Sequence, residues 1–419
     1  MKKNVSWVVH NGLCTSCGIC IGACAKKAIS FIYGKERNIP TVNVKLCVNC
    51  GVCYKICPGK GCNINSLSKK LFNKENGINK NLYIGHYLKT YVGHSTNEDL
   101  RYHAATGGMV TQFLTYLLEK KLIDGAVVVG YSEENPFEAK PFIAKNAEEI
   151  HDSKSSKYVV TSMDKVVTEI LNTDLKRLAM VGLPCHIQGM RKLAEKNRLI
   201  HDKIAVFAAI YCSVNKTRHS LDYYLYRYKV NKNDVGKFSF RDDGCMGFMK
   251  FTDKNGNTIK KVPYMSYWFG THSFFANSRC SLCIDQLGEL ADISFGDIHI
   301  KPYSNDQIGT NSIITRSSYW DKLLQECHKE GYIMLDEISA QTLVSSQTYT
   351  ISFKKGGGVK TNFMLRKLVG KRNPIYDSTP TARISLKNLV TELSKCIMRK
   401  IGSQRILWFI VRALDKNKD

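Results

Sequence analysis

Apolar residues recur at helical spacing along Leu100–Leu118, where Val110, Phe113, Leu114, Leu117 and Leu118 form one stripe behind a Gly107-Gly108 pair. The apolar run Gly125–Gly130 follows and reads as a buried strand. The alternation then repeats: Leu178–Gly182 reads as a strand, Leu183-Pro184-Cys185 as a turn, His186–Lys196 as a helix and Ile204–Tyr211 as a strand. Strands alternating with helices predict an α/β core. Upstream, Ala28–Tyr33 and Thr41–Val44 read as two short strands flanking a turn, and the polar stretch Asn73–Asn81 reads as a linker. Downstream, Leu386, Leu389, Val390, Leu393, Ile397 and Ile401 mark one helical face between Arg383 and Leu414. No stretch reaches the roughly 18 apolar residues that cross a bilayer. The nearest, Ile406–Val411, is short and sits between Arg405 and Arg412, so the chain is expected to be soluble or peripheral.

At 419 residues the chain exceeds one ordinary domain, and 43% hydrophobic residues suffice for sizeable cores. Cysteine usage changes this picture most. Nine of the sixteen cysteines fall between Cys14 and Cys62, and Met1-Lys2-Lys3 leads into no apolar signal segment. In an intracellular chain, short regular cysteine spacings mean metal or redox chemistry, because thiols there stay reduced. The expected compartment is the cytoplasm.

The first run is Cys14-Thr-Ser-Cys17-Gly-Ile-Cys20-Ile-Gly-Ala-Cys24, and the second is Cys47-Val-Asn-Cys50-Gly-Val-Cys53-Tyr-Lys-Ile-Cys57-Pro58. Both follow the pattern C-x2-C-x2-C-x3-C of two-cluster bacterial ferredoxins. Two-residue steps wrap three thiolates around one face of a cubane, and the fourth is directed to the other cluster. Cys14, Cys17, Cys20 and Cys57 are therefore expected to hold one [4Fe–4S] cluster, and Cys47, Cys50, Cys53 and Cys24 the other. Gly18 and Gly51 allow close approach of backbone to sulfide, while Ile19, Ile21, Val48 and Val52 shield the clusters. Zinc sites use separated C-x2-C pairs, not a repeated run of four. Ala25 departs from the usual proline after the fourth cysteine, and Cys62 lies outside the pattern as a spare thiol.

Seven cysteines remain outside the ferredoxin unit. Cys280-Ser-Leu-Cys283 is half of a metal site, and Cys185 and Cys212 each follow a strand, where ligands gather in α/β sheets. A third cluster and a pair of small core cysteines are both consistent with these spacings. The Gly107-Gly108 pair at a helix start suits phosphate but also an ordinary turn. Lys157 and Arg241 offer positive charge to a dinucleotide, while each taken alone reads first as a surface residue.

Ala105–Thr111, Ser156-Lys157-Tyr158, Val181–Ile187, Tyr211-Cys212, Ser239–Asp242, Cys280–Asp285 and Ala291–Asp297 together resemble the coenzyme F420 hydrogenase/dehydrogenase beta-subunit family. The resemblance runs from about Thr90 to about Ser345, with the ferredoxin unit fused in front. It implies FAD and one further [4Fe–4S] cluster in the body. Thr106, Gly107, Gly108 and Thr111 would sit at the flavin diphosphate with Ser156 and Lys157 nearby, and Asp297 would line the flavin site. Cys185, Cys212, Cys280 and Cys283 would ligate the cluster, with Cys245 as the rival to Cys212. Thr106 replaces the family's commoner serine and keeps a hydroxyl. The implied architecture is α+β or α/β. A two-cluster ferredoxin-type unit spans 1–70, a mixed α/β flavin-binding body spans 82–170 and 171–345, and a basic helical tail spans 346–419.

A formal net charge of +25 raises nucleic acid, anionic membrane or acidic protein as partners. Residues 1–70 hold eleven Lys or Arg and one acid, Glu36. Cysteine and glycine, not interleaved aromatics, dominate this basic region, which argues against nucleic acid. An acidic ferredoxin or flavodoxin is the expected electron donor. The tail, with nine Lys or Arg against three acids between Arg383 and Asp419, is expected to pack on the protein itself, with peripheral membrane contact as the alternative. The functional expectation is an iron–sulfur flavoprotein oxidoreductase acting on a small molecule, F420-like or another hydride acceptor. The alternative is a carrier subunit serving a partner enzyme. Catalytic residues, substrate, direction of electron flow and oligomeric state are not specified by these motifs.

Overall fold

The computed structural model describes residues 3–415, so Met1, Lys2 and tail residues 416–419 lie outside the described residues. Each cysteine run places a glycine with positive φ before a short helix: Gly18 (φ +72°) before Ile19–Gly22, and Gly51 (φ +74°) before Val52–Ile56. A side chain at Gly18 would collide with Ser162 and Asp164, so this turn is both left-handed and pressed against the body. Between the runs, β1 (Ile29–Ile32) and β2 (Ile39–Val42) pair antiparallel, with Ile29 opposite Val42. That register starts the second strand two residues before the expected Thr41–Val44 and leaves Val44 exposed. Helix Ile64–Phe72 closes the unit, and a small hairpin of β3 (Asn79–Asn81) and β4 (Gly85–Tyr87) follows. The expected linker Asn73–Asn81 therefore ends in paired structure.

The remaining strands are β5 (Lys89–Ser95), β6 (Gly125–Tyr131), β7 (Ala139–Ala144), β8 (Leu178–Gly182), β9 (Ile204–Ile210), β10 (Val235–Asp242), β11 (Phe248–Asp253), β12 (Thr258–Pro263), β13 (Ile293–Asp297), β14 (Asn311–Thr315) and β15 (Ile333–Glu337). Eight of them form one mixed sheet in the order β15-β5-β14-β13-β9-β8-β6-β7, and β10-β11-β12 form a separate antiparallel sheet. The four central strands β13, β9, β8 and β6 run parallel, so their carboxyl ends share one edge. At that edge Asp297 pairs with Asn311, which brings the N-terminal end of antiparallel β14 to the same place.

The helix expected to open at the Gly107-Gly108 pair runs Met109–Glu119, with both glycines at positive φ, and a short helix Glu98–His103 precedes it. The helix expected from His186 starts at Pro184, where proline's fixed φ suits the first turn. The ferredoxin unit shares a core with the body: Ile19, Ile56 and Ile64 pack in one cluster with Met163, Val167, Ile187 and Met190. The tail forms helices Thr348–Lys354, Gly357–Leu368, Leu386–Gly402 and Trp408–Leu414. No helix among the described residues is long and apolar enough to cross a membrane.

Candidate functional site

The eight thiols of the N-terminal runs are free and fall into two groups. Cys14, Cys17, Cys20 and Cys57 are buried and line one cavity with Val5, Ile19 and Ile56. Burial, reinforced by the neighbouring Cys57 sulfur, pushes the Cys17 thiol up to about 12, and burial likewise raises Cys14 and Cys20. Four soft donors around an apolar cavity fit a cubane, whose iron would take the place of the protons. The second group lies nearer the surface. Cys53 is raised by burial and, in smaller part, by Cys50 and Cys24, and Cys50 is exposed.

A third group forms where β8 and β9 end. Cys185 sits in the first turn of helix Pro184–Ala194, Cys212 lies two residues beyond β9, and Cys280 lies within the short helical turn Ser278–Leu282 that Cys283 follows. Burial raises the Cys185 thiol most, followed by the nearby sulfurs of Cys17, Cys212, Cys283 and Cys280. Cys212 is pushed up to about 12 by burial, with Cys280 and Cys283 acting in the same direction. The Asn215 amide donates to the Cys280 sulfur at 3.4 Å. These four thiols therefore lie near enough to act on one another, with Cys17 of the inner N-terminal group among the neighbours of Cys185. Cys245 lies elsewhere, with its sulfur 4.0 Å from the Arg241 guanidinium, and Cys62 is buried in the core.

Four separate sequence segments meet in a hydrogen-bonded network at the sheet's carboxyl edge. The Thr106 hydroxyl donates to Asp297, whose other oxygen accepts from Arg241 Nη1 at 2.6 Å. Arg241 is 1% exposed, donates through Nε to the Met246 carbonyl at 2.8 Å and reaches the Tyr158 hydroxyl at 3.5 Å. The Asp297 carboxyl is held below the usual carboxylate range: its burial works against this, and Arg241, His299 and Thr106 overcome it. Beside the network, the Met109 amide, in the first turn of helix Met109–Glu119, donates to Asn311 Oδ1 at 3.2 Å. Thr111 is buried in that turn. Ser155 donates to the Arg241 carbonyl, which brings Ser156 and Lys157 alongside. Lys157 Nζ itself donates to the carbonyls of Ser153, Lys154 and Ser155, closing the end of helix Ala147–Asp152. His103, Asp242 and Asp243 gather nearby, but Lys250 and Lys261 already pair with Asp243 at 3.1 and 2.9 Å.

Sequence reasoning missed the buried cations beside the thiols. Lys354 Nζ lies 3.6 Å from the Cys283 sulfur and donates to the Asp285 carbonyl at 2.8 Å. Lys192 donates to the Cys57 carbonyl at 3.0 Å, and Arg279 donates to the Gly59 carbonyl at 2.8 Å. Arg279 is adjacent to Cys280, which was a usable signal; Lys354 and Lys192 carry no local motif.

Residues 175–341 match the family model for the C terminus of the coenzyme F420 hydrogenase/dehydrogenase beta subunit, residues 90–168 match that for its N-terminal part, and residues 13–61 match a 4Fe-4S dicluster domain. The chain is 26% identical over 306 residues to the coenzyme F420 hydrogenase subunit beta of Methanothermobacter thermautotrophicus, covering 70% of this chain and 100% of that one. It is 27% identical over 246 residues to the coenzyme F420-dependent sulfite reductase of Methanocaldococcus jannaschii, covering 55% of this chain and 36% of that protein. In fold it is similar to a chain of the F420-reducing [NiFe] hydrogenase complex from Methanosarcina barkeri, with a TM-score of 0.56 at 22% identity over 71% of this chain and 99% of that one. The protein belongs to the coenzyme F420 hydrogenase/dehydrogenase beta-subunit family and carries a two-cluster 4Fe-4S domain at its N-terminal end.

Proposed function

We propose that the chain is an iron–sulfur flavoprotein oxidoreductase that takes electrons from an acidic carrier protein, a ferredoxin or flavodoxin, and reduces a small hydride acceptor such as an F420-like molecule. The observation that carries this reading is that Cys185, Cys212, Cys280 and Cys283 come near one another where β8 and β9 end, with Cys17 of the inner ferredoxin set among the neighbours of Cys185. When bound, the clusters would supply single-electron transfer and a flavin would supply conversion to hydride chemistry.

The chain's own residues divide the remaining work. Cys24, Cys47, Cys50 and Cys53 would hold the outer cluster under a surface carrying Lys26, Lys27, Lys35, Lys45 and Lys55, all exposed, which suits an acidic carrier. Cys14, Cys17, Cys20 and Cys57 would hold the inner cluster, with Lys192 and Arg279 fixing the adjoining backbone. The turn from Gly108 to Thr111, with Thr106 and Gly107 before it, would face the diphosphate of FAD at the start of helix Met109–Glu119. Asp297 and Arg241 would line the flavin pocket, and Ser156 would border it. Lys157 would serve there only by leaving the carbonyls it now binds. A cytoplasmic location suits sixteen free thiols.

The relatives named as hydrogenase and formate dehydrogenase beta subunits favour one second reading, a carrier subunit that hands electrons to a partner enzyme. Turnover separates the two. The anaerobically purified holoprotein, given reduced ferredoxin and F420 or a panel of other hydride acceptors, is expected to reduce one of them by itself. Absence of turnover with every acceptor, together with reduction of an added partner enzyme, would establish the carrier reading instead.

A further inference from the structure

Helix Leu386–Gly402 is held to the body by one face only. Its buried Glu392 accepts from Asn362 at 2.6 Å and from Lys395 at 2.8 Å, and Ser385 caps its first turn through the Asn388 amide. The following helix is anchored by Trp408, which is 2% exposed, packs against Tyr223 and Phe275 and donates to the Gly402 carbonyl at 2.9 Å. The opposite face is not covered. Leu386, Val390, Leu393 and Ile397 stand 77, 56, 44 and 60% exposed, and their spacing of four, three and four residues keeps them in one stripe. Ile406 and Phe409 continue the exposed apolar surface into the last helix. The expected packing on the protein itself is made by the inner face, and the outer face is left exposed.

Charge says what would cover the stripe. Seven lysines and arginines lie between Arg383 and Asp415, and the only acids in that stretch are Glu392 and Asp415, 1 and 3% exposed. Every exposed charge on the segment is thus positive, and Lys387 and Lys400 border the apolar stripe. A second copy packed through the same stripe would set these cations against their own kind with no exposed acid to answer them. An anionic bilayer surface answers both features, since acyl chains accept the stripe and headgroups accept the lysine and arginine ends.

We propose that the outer face of Leu386–Gly402, extended by Ile406 and Phe409, docks the protein onto an anionic membrane surface. This assignment does not depend on the identity of the substrate or on the flavin. The test is cosedimentation of the anaerobically purified holoprotein with vesicles of mixed phosphatidylglycerol and phosphatidylcholine, and with vesicles of phosphatidylcholine alone. Binding to the anionic vesicles is expected to weaken with rising salt and to be at least about tenfold weaker on phosphatidylcholine. The double variant L393E/I397E, at two exposed positions, is expected to lose at least about tenfold in vesicle affinity. Its iron content and circular dichroism are expected to match the parent and show that it folds. No binding to anionic vesicles, equal binding to neutral ones, or unchanged binding by the double variant would overturn the proposal. So would a concentration-dependent dimer in lipid-free ultracentrifugation that the double variant abolishes, which would make a second copy the occupant.

Discussion

At the scale of single residues, the buried cations and the Arg241–Asp297 pair carry the sharpest consequences. Lys354 is 1% exposed beside the Cys283 sulfur, so its ammonium favours whatever negative charge gathers among the four thiols. Replacing it with methionine keeps the volume and removes the charge. The cluster proposed at these four thiols is expected, in Lys354→Met, to have a reduction potential lower by roughly 50–150 mV, read by titration followed by electron paramagnetic resonance. An unchanged potential would mean that the lysine only supports the Asp285 carbonyl. Asp297→Asn strands the Arg241 guanidinium in the interior without its counter-charge. A loss of about 3 kcal/mol is expected in chemical denaturation, with Arg241→Met/Asp297→Asn recovering part of it. Asp297 was readable from its family motif, and Arg241 was noticed only as a charge. Lys354 was not readable at all, because it meets Cys283 across 71 residues of chain and no periodicity or spacing links them.

At the scale of elements, the loop Ala104–Gly108 and the helix Tyr264–Thr271 each make a prediction. Gly107 has φ +50°, and a Cβ there would lie 2.6 Å from Asn311 Oδ1. Gly107→Ala is expected to cost on the order of 1–3 kcal/mol in thermal unfolding and to weaken retention of any flavin held by the next turn. His272 follows the Tyr264–Thr271 helix, and burial with Lys216 and Lys395 nearby lowers its pKa to about 4 from 6.5. Between those values the unfolded chain binds the proton and the folded chain does not. Stability is therefore fully present above pH 6.5 and falls as pH drops toward 4, by on the order of 1–2 kcal/mol for a partly exposed ring. Denaturant midpoints across that window should flatten in His272→Gln by the same amount. Strands β6, β8 and β9 and the Met109 and Pro184 helices were legible from their apolar runs, whereas the fourth parallel strand, β13, was legible only as part of a family motif. The three-stranded sheet β10-β11-β12 was not, since β12 (Thr258–Pro263) is mostly exposed and shows no apolar face to read. The break at Gly107-Gly108 was legible as a helix start, but the short helix Glu98–His103 before it was not, since its six residues carry too few apolar positions to show a period.

At the scale of the whole molecule, two cysteine runs and one α/β sheet share a core, and this union brings Cys17 among the neighbours of Cys185. The runs themselves were readable from spacing alone. Their seating on the body was not, because it depends on contacts such as Gly18 against Ser162 and Asp164 and Gly189 against Ile19 that join distant segments. The central claim is that the chain holds three clusters and a flavin in one continuous body, from the exposed Cys50 to the loop at Thr106. The most direct measurement is the content of iron, acid-labile sulfide and flavin per chain after anaerobic purification, for the parent and for Cys185→Ser. About twelve irons and one flavin in the parent, falling to about eight irons in Cys185→Ser, is the expected result. About eight irons and no flavin in the parent would contradict it and leave only the N-terminal pair of clusters.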